Sequence, residues 1–186
     1  MTTTTTTLTL NDGWLSRRNA FDWVFALLAV AGGLFAFVRY AGAMDVYEKA
    51  ILLATIPAAI WLGWLWRPLA VLGLVVAAAS LLGIASYQGD LARADNVFWL
   101  KYFLSSQSAI LWMSVLFFMS TIFYWLGFFG GKQSDALEAI GSRMAWAAVT
   151  LALVGTMVRW YESHLLGPDI GHIPVSNLYE VFVLFC

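Results

Sequence analysis

Five apolar runs, each long enough to cross a bilayer as a helix, limit what this chain can fold into. They fall at about residues 21–38, 50–66, 69–86, 109–129 and 144–161, with polar stretches between them. About 20 helical residues, at 1.5 Å of rise each, cover a hydrocarbon core about 30 Å thick. Backbone N–H and C=O groups in that core find no water, so each run must satisfy them within itself as a helix. The fold class is therefore all-α: a polytopic transmembrane helical bundle of five full spans plus the start of a sixth. Composition agrees. Hydrophobic residues make up 61% of the chain and charged residues 11%, with a mean hydropathy of +0.78. Soluble domains typically carry about a quarter charged residues. A net charge of −1, with basic residues scattered singly, argues against nucleic acid as a partner and leaves the lipid bilayer. The single cysteine, Cys186, excludes an internal disulfide framework.

The N-terminal tail, residues 1–18, carries a threonine tract from Thr2 to Thr7 and reads as disordered and cytoplasmic. Arg17 and Arg18, with Ala41-Gly-Ala43 behind the first run, superficially resemble a twin-arginine leader and its cleavage site. The run is longer than a leader's apolar core and further spans follow, so it is read as an anchor. The bundle itself is placed at residues 19–161. Gly32-Gly33 would let a neighbouring helix approach span 1, and Pro57 would kink span 2. Arg67-Pro68 reads as a tight turn making a hairpin of spans 2 and 3. Span 3 has small residues at Gly73, Ala77, Ala79 and Gly83, which suit the centre of a bundle. Residues 87–108 form the first sizeable loop, whose aromatic part, 97–104, could lie along the membrane surface. Residues 130–142 read as a loop on the side of the N-terminus.

Orientation rests on one feature. With the N-terminus inside, Arg17, Arg18, Arg67, Lys132 and Arg143 lie inside, while Arg39, Lys49, Arg93, Lys101 and Arg159 lie outside. The balance is even, so the double arginine beside the first span decides for a cytoplasmic N-terminus. Residues 162–186 then form an outward-facing loop and a new apolar start. This loop holds both histidines of the chain, His164 and His172. Their separation of eight residues across Gly167-Pro168 matches no recognised zinc spacing, so no metal site is assigned. The last apolar stretch, 178–186, supplies roughly 13 Å of helix against a core of about 30 Å. The expectation is an N-terminal portion of a longer protein.

Arg159-Trp-Tyr followed by Gly171-His-Ile-Pro-Val-Ser-Asn-Leu-Tyr-Glu180 resembles the multi-spanning subunit of the system II cytochrome c synthase, the ResC or CcsA type, called CcsB in proteobacteria. The pattern is carried by Gly171, His172, Pro174, Ser176, Asn177, Tyr179 and Glu180, and covers about thirty residues. The resemblance implies cytochrome c biogenesis in a bacterial inner membrane, with the His164 and His172 loop periplasmic. It implies haem b as cofactor, a ResB-type partner subunit, separate or fused, and apocytochrome c as the protein receiving haem through thioether bonds. The family's tryptophan-rich haem segment and axial histidines would lie beyond Cys186, so no catalytic residue is assigned within these residues.

Single residues keep two readings. Asn177 and Glu180 have the spacing of a helix capping box, or the carboxylate contacts haem or a partner. His172 is a ligand type for haem iron, although a histidine in a wet loop more often makes hydrogen bonds. Arg159, with Trp160, is an interfacial anchor, or the guanidinium pairs with a haem propionate. His172, Arg159 and Trp160 are thus the candidate haem neighbours. His164 ranks below them, as a loop residue outside the motif. Cys186 reads as an inert buried thiol. Two rival functions stand beside this one. A haem b electron-transfer subunit would need facing histidines within spans, and both histidines are read as lying in a loop. A non-catalytic scaffold or transporter would show charges or broken helices at midplane, and Pro57 is the only hint.

Overall fold

The computed structural model describes residues 18–42, 44–131 and 134–167. Its elements in order are α1 (Ala20–Tyr40), α2 (Val46–Leu65), α3 (Arg67–Tyr87), the short α4 (Arg93–Asn96), a π-helical turn (Leu100–Leu104), α5 (Ser106–Phe129) and α6 (Ser134–Leu166). Five of these, α1, α2, α3, α5 and α6, are long and apolar enough to cross a membrane. The fold is an all-α, polytopic helical bundle. The chain divides into two compact units, residues 1–71 and 72–186, so α3 begins in the first and runs on in the second.

In the first unit, α1 and α2 both open with a capping box. Asn19 and Asp22 exchange side-chain and backbone bonds at 3.1 Å each, and Asp45 and Glu48 do so at 2.7 and 3.0 Å. Each pair satisfies amide donors that a helix start leaves free. Asp22 is also buried, and its carboxylate accepts from Arg67 Nε at 3.3 Å and Nη2 at 3.1 Å. Trp64 Nε1 donates to the Asp22 carbonyl at 2.9 Å, and Arg18 donates to the Trp64 carbonyl at 2.6 Å. Further along, Phe25 fills the notch at Gly63 and Ile56 fills the one at Gly33, so a Cβ at either glycine would collide. The close approach expected at Gly32-Gly33 belongs to Gly33 alone, for Gly32 faces open space. The break between α2 and α3 is a single extended residue, Trp66, and Arg67 and Pro68 belong to the first turn of α3, not to a turn ahead of it. Proline is tolerated there because the first amides of a helix have no intrahelical partner.

The second unit is built on the antiparallel pair α5 and α6. The buried residues of α5 include Ser106, Met113, Ser120 and Gly127, and those of α6 include Gly141, Ala148, Gly155 and Glu162. Both sets recur every seven residues, the period that keeps one seam facing a partner helix. Because most members are small, the backbones approach closely. A Cβ on Gly155 would lie 3.2 Å from Ala109 Cβ and 3.5 Å from the Ser106 carbonyl. Ser120 Oγ donates across the seam to the Gly141 carbonyl at 2.8 Å. Tyr87, Leu100, Val154 and Val158 form the fully buried apolar cluster of this unit. The later part of α3 meets it through Gly83, where a Cβ would sit 3.2 Å from Val158 Cγ2.

Helix α6 has 33 residues, well beyond the apolar run expected at 144–161. Asp135, Glu138 and Arg143 interrupt hydropathy without interrupting the helix. Glu138 lays its aliphatic stem against Gly127, and Ser134 Oγ donates to its carboxylate at 2.8 Å. The loop expected at 130–142 is therefore mostly helix. Residues 97–104, expected along a membrane surface, include the π-helical turn and an exposed aromatic group of Phe98, Trp99 and Tyr102.

Candidate functional site

The last turns of α6 carry two unlike faces. Arg159, Glu162 and Leu166 line one, and Met157, Trp160, Tyr161 and His164 line the other. Spacings of three, four and seven residues produce this division, since residues so spaced share a helix face.

Glu162 is the centre of the first face. It is buried, and its carboxylate accepts from Tyr87 of α3 at 2.5 Å, from the Ser106 backbone amide at 3.0 Å and from Ser106 Oγ at 2.5 Å. Ser106 is the first residue of α5, whose amide has no intrahelical acceptor. A carboxylate there also meets the positive end of the helix dipole. The Arg159 guanidinium lies 3.8 Å from the same carboxylate, one turn back on α6. Burying a charge is costly unless it is paired and hydrogen-bonded, and Glu162 has both kinds of partner. One side chain thus ties α3, α5 and α6 together. Beside it opens a polar cavity of about 310 Å³, reached by Asp95, Lys101, Gln107 and Arg159.

The second face borders a groove of about 600 Å³ between α3 and α6, floored by Gly73, Ala77 and Ser80. Its surface is almost wholly apolar. Trp160 and His164 stand along its α6 wall, and Ser80 Oγ is buried there with no hydrogen-bond partner among the described residues.

Two of the three expected haem neighbours, Arg159 and Trp160, fall within the described residues, where they line different cavities. The third, His172, lies outside them, as do the other motif residues Gly171, Pro174, Ser176, Asn177, Tyr179 and Glu180, and Cys186. His164 is corrected. It was expected in a loop and instead occupies the last turn of α6, because the helix runs to Leu166 around the buried Glu162. The objection that both histidines lie in a loop no longer holds for this one. Glu162 and Ser106 were not singled out from sequence. The available signal was their place in the two seven-residue series of small residues. Among the described residues, no three His, Cys, Asp or Glu side chains gather as a metal site would require.

The five long apolar helices define a multi-pass helical membrane protein. In sequence the chain is similar to the cytochrome c biogenesis protein CcsA of Chlorella vulgaris, with 37% identity over 76 residues. The match takes in 39% of this chain and 21% of that protein, so the chain spans about a fifth of the length of the curated relative it matches. No family model matches the chain. No solved structure matches it significantly.

Proposed function

We propose that this chain acts in cytochrome c biogenesis, as a membrane subunit that handles haem b and presents it to apocytochrome c on the outer face of a bacterial inner membrane. The observation that carries the reading is the 37% identity with a cytochrome c biogenesis protein in a chain with five candidate spans. The motif from Gly171 to Glu180 points the same way. The haem supplies vinyl groups, and each reduced cysteine thiol adds across one of them, its sulfur to one carbon and its proton to the other. This chain's residues supply position. Glu162 holds the end of α6 against α3 and α5, and Arg159 and Trp160 stand at that end. A ResB-type partner subunit, separate or fused, would complete the apparatus.

Deletion of the gene tests the reading. Haem-stained membranes should lose their covalently bound cytochromes c while haem b proteins persist. A full complement of cytochromes c in the deletion strain overturns it. Restoring the gene with Glu180→Gln separates the two readings of that carboxylate. Normal cytochrome levels assign it to capping, since glutamine still reaches the cap amide. Loss at unchanged protein level assigns it to a charge-dependent contact. Labelling of Ser163→Cys by an impermeant reagent in intact cells tests the outward orientation, which protection of that site would invert.

A further inference from the structure

The polar cavity beside Glu162 lies where α3 ends, α5 begins and α6 ends. Tyr87 closes α3, Ser105 caps α5, and Arg159 and Glu162 come from the last turns of α6. The segment that completes the lining runs from α3 to α5 and carries charge of both signs, Asp95 and Lys101. Arg159 adds a second cation, and Glu162, already tied to Tyr87 and Ser106, adds a second carboxylate. The formal charges of the lining cancel, yet both signs are present. The segment is also held in place. Arg93 Nε donates to the Ser86 carbonyl at 3.0 Å and its Nη1 to Gln88 at 2.7 Å, which fixes the short α4 that bears Asp95. Ser108 Oγ donates to the Lys101 carbonyl at 2.6 Å, and Trp112 Nε1 to the Tyr102 carbonyl at 2.8 Å. Those bonds join the π-helical turn to α5. Around Lys101 stand Phe98, Trp99 and Tyr102, all exposed. Exposed aromatic residues at the ends of spans mark the headgroup level of a bilayer.

We infer that this cavity holds the headgroup of a phospholipid that joins a phosphate to a primary ammonium, as in phosphatidylethanolamine. Lys101 and Arg159 take the phosphate, and Asp95 takes the ammonium. A purely anionic ligand would meet Asp95 and Glu162, and a purely cationic one would meet Lys101 and Arg159. A choline headgroup has no N–H to donate to Asp95. Quaternary ammonium groups are held by cages of aromatic rings, and Tyr87 is the one aromatic residue lining the cavity among the described residues. The volume, about 310 Å³, lies at the lower end of the range for small-molecule pockets and suits a headgroup, not a whole lipid. Leu91 and Leu166 add apolar lining for the glycerol end. The bound lipid thereby links α4, the π-helical turn and α6.

The test is lipid binding to the purified, delipidated full-length protein in detergent, read by native mass spectrometry and by the shift in thermal unfolding. Phosphatidylethanolamine, phosphatidylcholine and phosphatidylglycerol with matched acyl chains are compared. Phosphatidylethanolamine should bind about tenfold more tightly than either of the others and raise the unfolding temperature most. Asp95→Asn should bring it down to the level of phosphatidylcholine, whose own binding should not change. Lys101→Gln should weaken all three, since each carries the phosphate. Both residues are exposed, so the lipid-free unfolding temperature should hold in each variant. Asp95→Ser replaces the asparagine variant should that temperature fall. Arg143→Gln, a cation near the other end of α6, is the control and should bind as the wild type does. Equal affinity of the wild type for the three lipids overturns the inference, as does a preference for phosphatidylethanolamine that survives Asp95→Asn. Glycerophosphoethanolamine, which lacks acyl chains, separates a lipid from a soluble source of the same headgroup. It should bind weakly, and binding as tight as that of the lipid would overturn the lipid assignment in favour of a soluble zwitterion.

Discussion

Helices α1 and α2 meet where large side chains fill glycine notches, Ile56 at Gly33 and Phe25 at Gly63, with a polar clamp around Asp22 at one end. Helices α5 and α6 meet backbone to backbone, along two seven-residue series of mostly small residues. In lipid there is no hydrophobic drive to bring helices together, so close packing and interhelical hydrogen bonds must do it. The first unit separates those two contributions, and the second combines them. Where the backbones are close, Ser120 reaches the Gly141 carbonyl and Glu162 reaches the Ser106 amide. The difference bears on function, because the aligned seam ends at Glu162. The side chains beside the groove and the polar cavity therefore project from a turn of α6 that Glu162 anchors.

Replacing Gly155 by leucine should have the largest effect. The new Cβ would already be 3.2 Å from Ala109 Cβ and Ile110 Cγ1, with the Ser106 carbonyl at 3.5 Å, so a longer side chain must part the helices. Overpacking of a tight interior typically costs about 1–3 kcal/mol, and a seam of backbone contacts should lie at or above about 3 kcal/mol. Gly33→Leu should cost less, because the obstacle there is the flexible end of Ile56. Thermal unfolding of both variants in one detergent compares them directly. Equal losses would erase the distinction between a notch and a seam.

Glu162→Ala comes next. It leaves Tyr87 Oη, the Ser106 amide and Ser106 Oγ without their shared acceptor. Hydrogen bonds to charged groups contribute about 1.5–3 kcal/mol each in isolation but are not additive, so about 3 kcal/mol is expected for the whole. Glu162→Gln keeps the shape and one acceptor oxygen, and should lose about half of that. Unfolding in detergent again gives the measure. A loss below 1 kcal/mol for the alanine variant would mean that water replaces the carboxylate, and that the tie does not fix α6.

The five spans were legible because a sustained apolar run has few other structures open to it in a bilayer. Their ends were not. Asp135, Glu138 and Arg143 read as a loop, since hydropathy does not show that Glu138 packs its stem on Gly127. Gly73, Ala77 and Gly83 all announced close packing from sequence. Gly83 has it, against Val158 and Leu104, whereas Gly73 and Ala77 border a groove. Small residues show where something can approach, not what does. The seam was visible as spacing but disguised in type, because serine, methionine, glycine, alanine and a glutamate share it. Glu162 was hidden most effectively. A charge beside Arg159-Trp160-Tyr161 looks like the start of a loop, and only its seven-residue distance from Gly155 places it inside.

In the first unit, Asp22→Ala should cost about 1 kcal/mol, less than Glu162→Ala, although both remove a buried carboxylate. The reason is the partner. The Arg67 side chain is 54% exposed, so water solvates the guanidinium once Asp22 is gone. The Asn19 amide likewise keeps access to solvent at the helix start. A double-mutant cycle between Asp22→Ala and Arg67→Ala, read by thermal unfolding in detergent, isolates the pair. A coupling as large as the Glu162→Ala loss would show that the clamp is as strong as the seam's tie.

Arg67→Lys should be the smallest change, about 0.5 kcal/mol. Arg67 reaches Asp22 with two nitrogens, Nε to Oδ1 at 3.3 Å and Nη2 to Oδ2 at 3.1 Å, a forked match that an ammonium cannot reproduce. Lysine keeps the charge and loses one of the two contacts. Because the pair is half open to solvent, the Coulombic part is already weakened, so geometry accounts for most of what is lost. Sodium chloride separates the contributions. If charge dominates, the wild-type clamp should weaken with salt, and the lysine variant should weaken in parallel from nearly the same starting stability. If geometry dominates, the lysine variant begins lower and the gap stays constant as salt rises. A gap that closes at high salt would show that the clamp acts through charge alone, leaving the first unit without the directional polar contact that the seam has in Glu162.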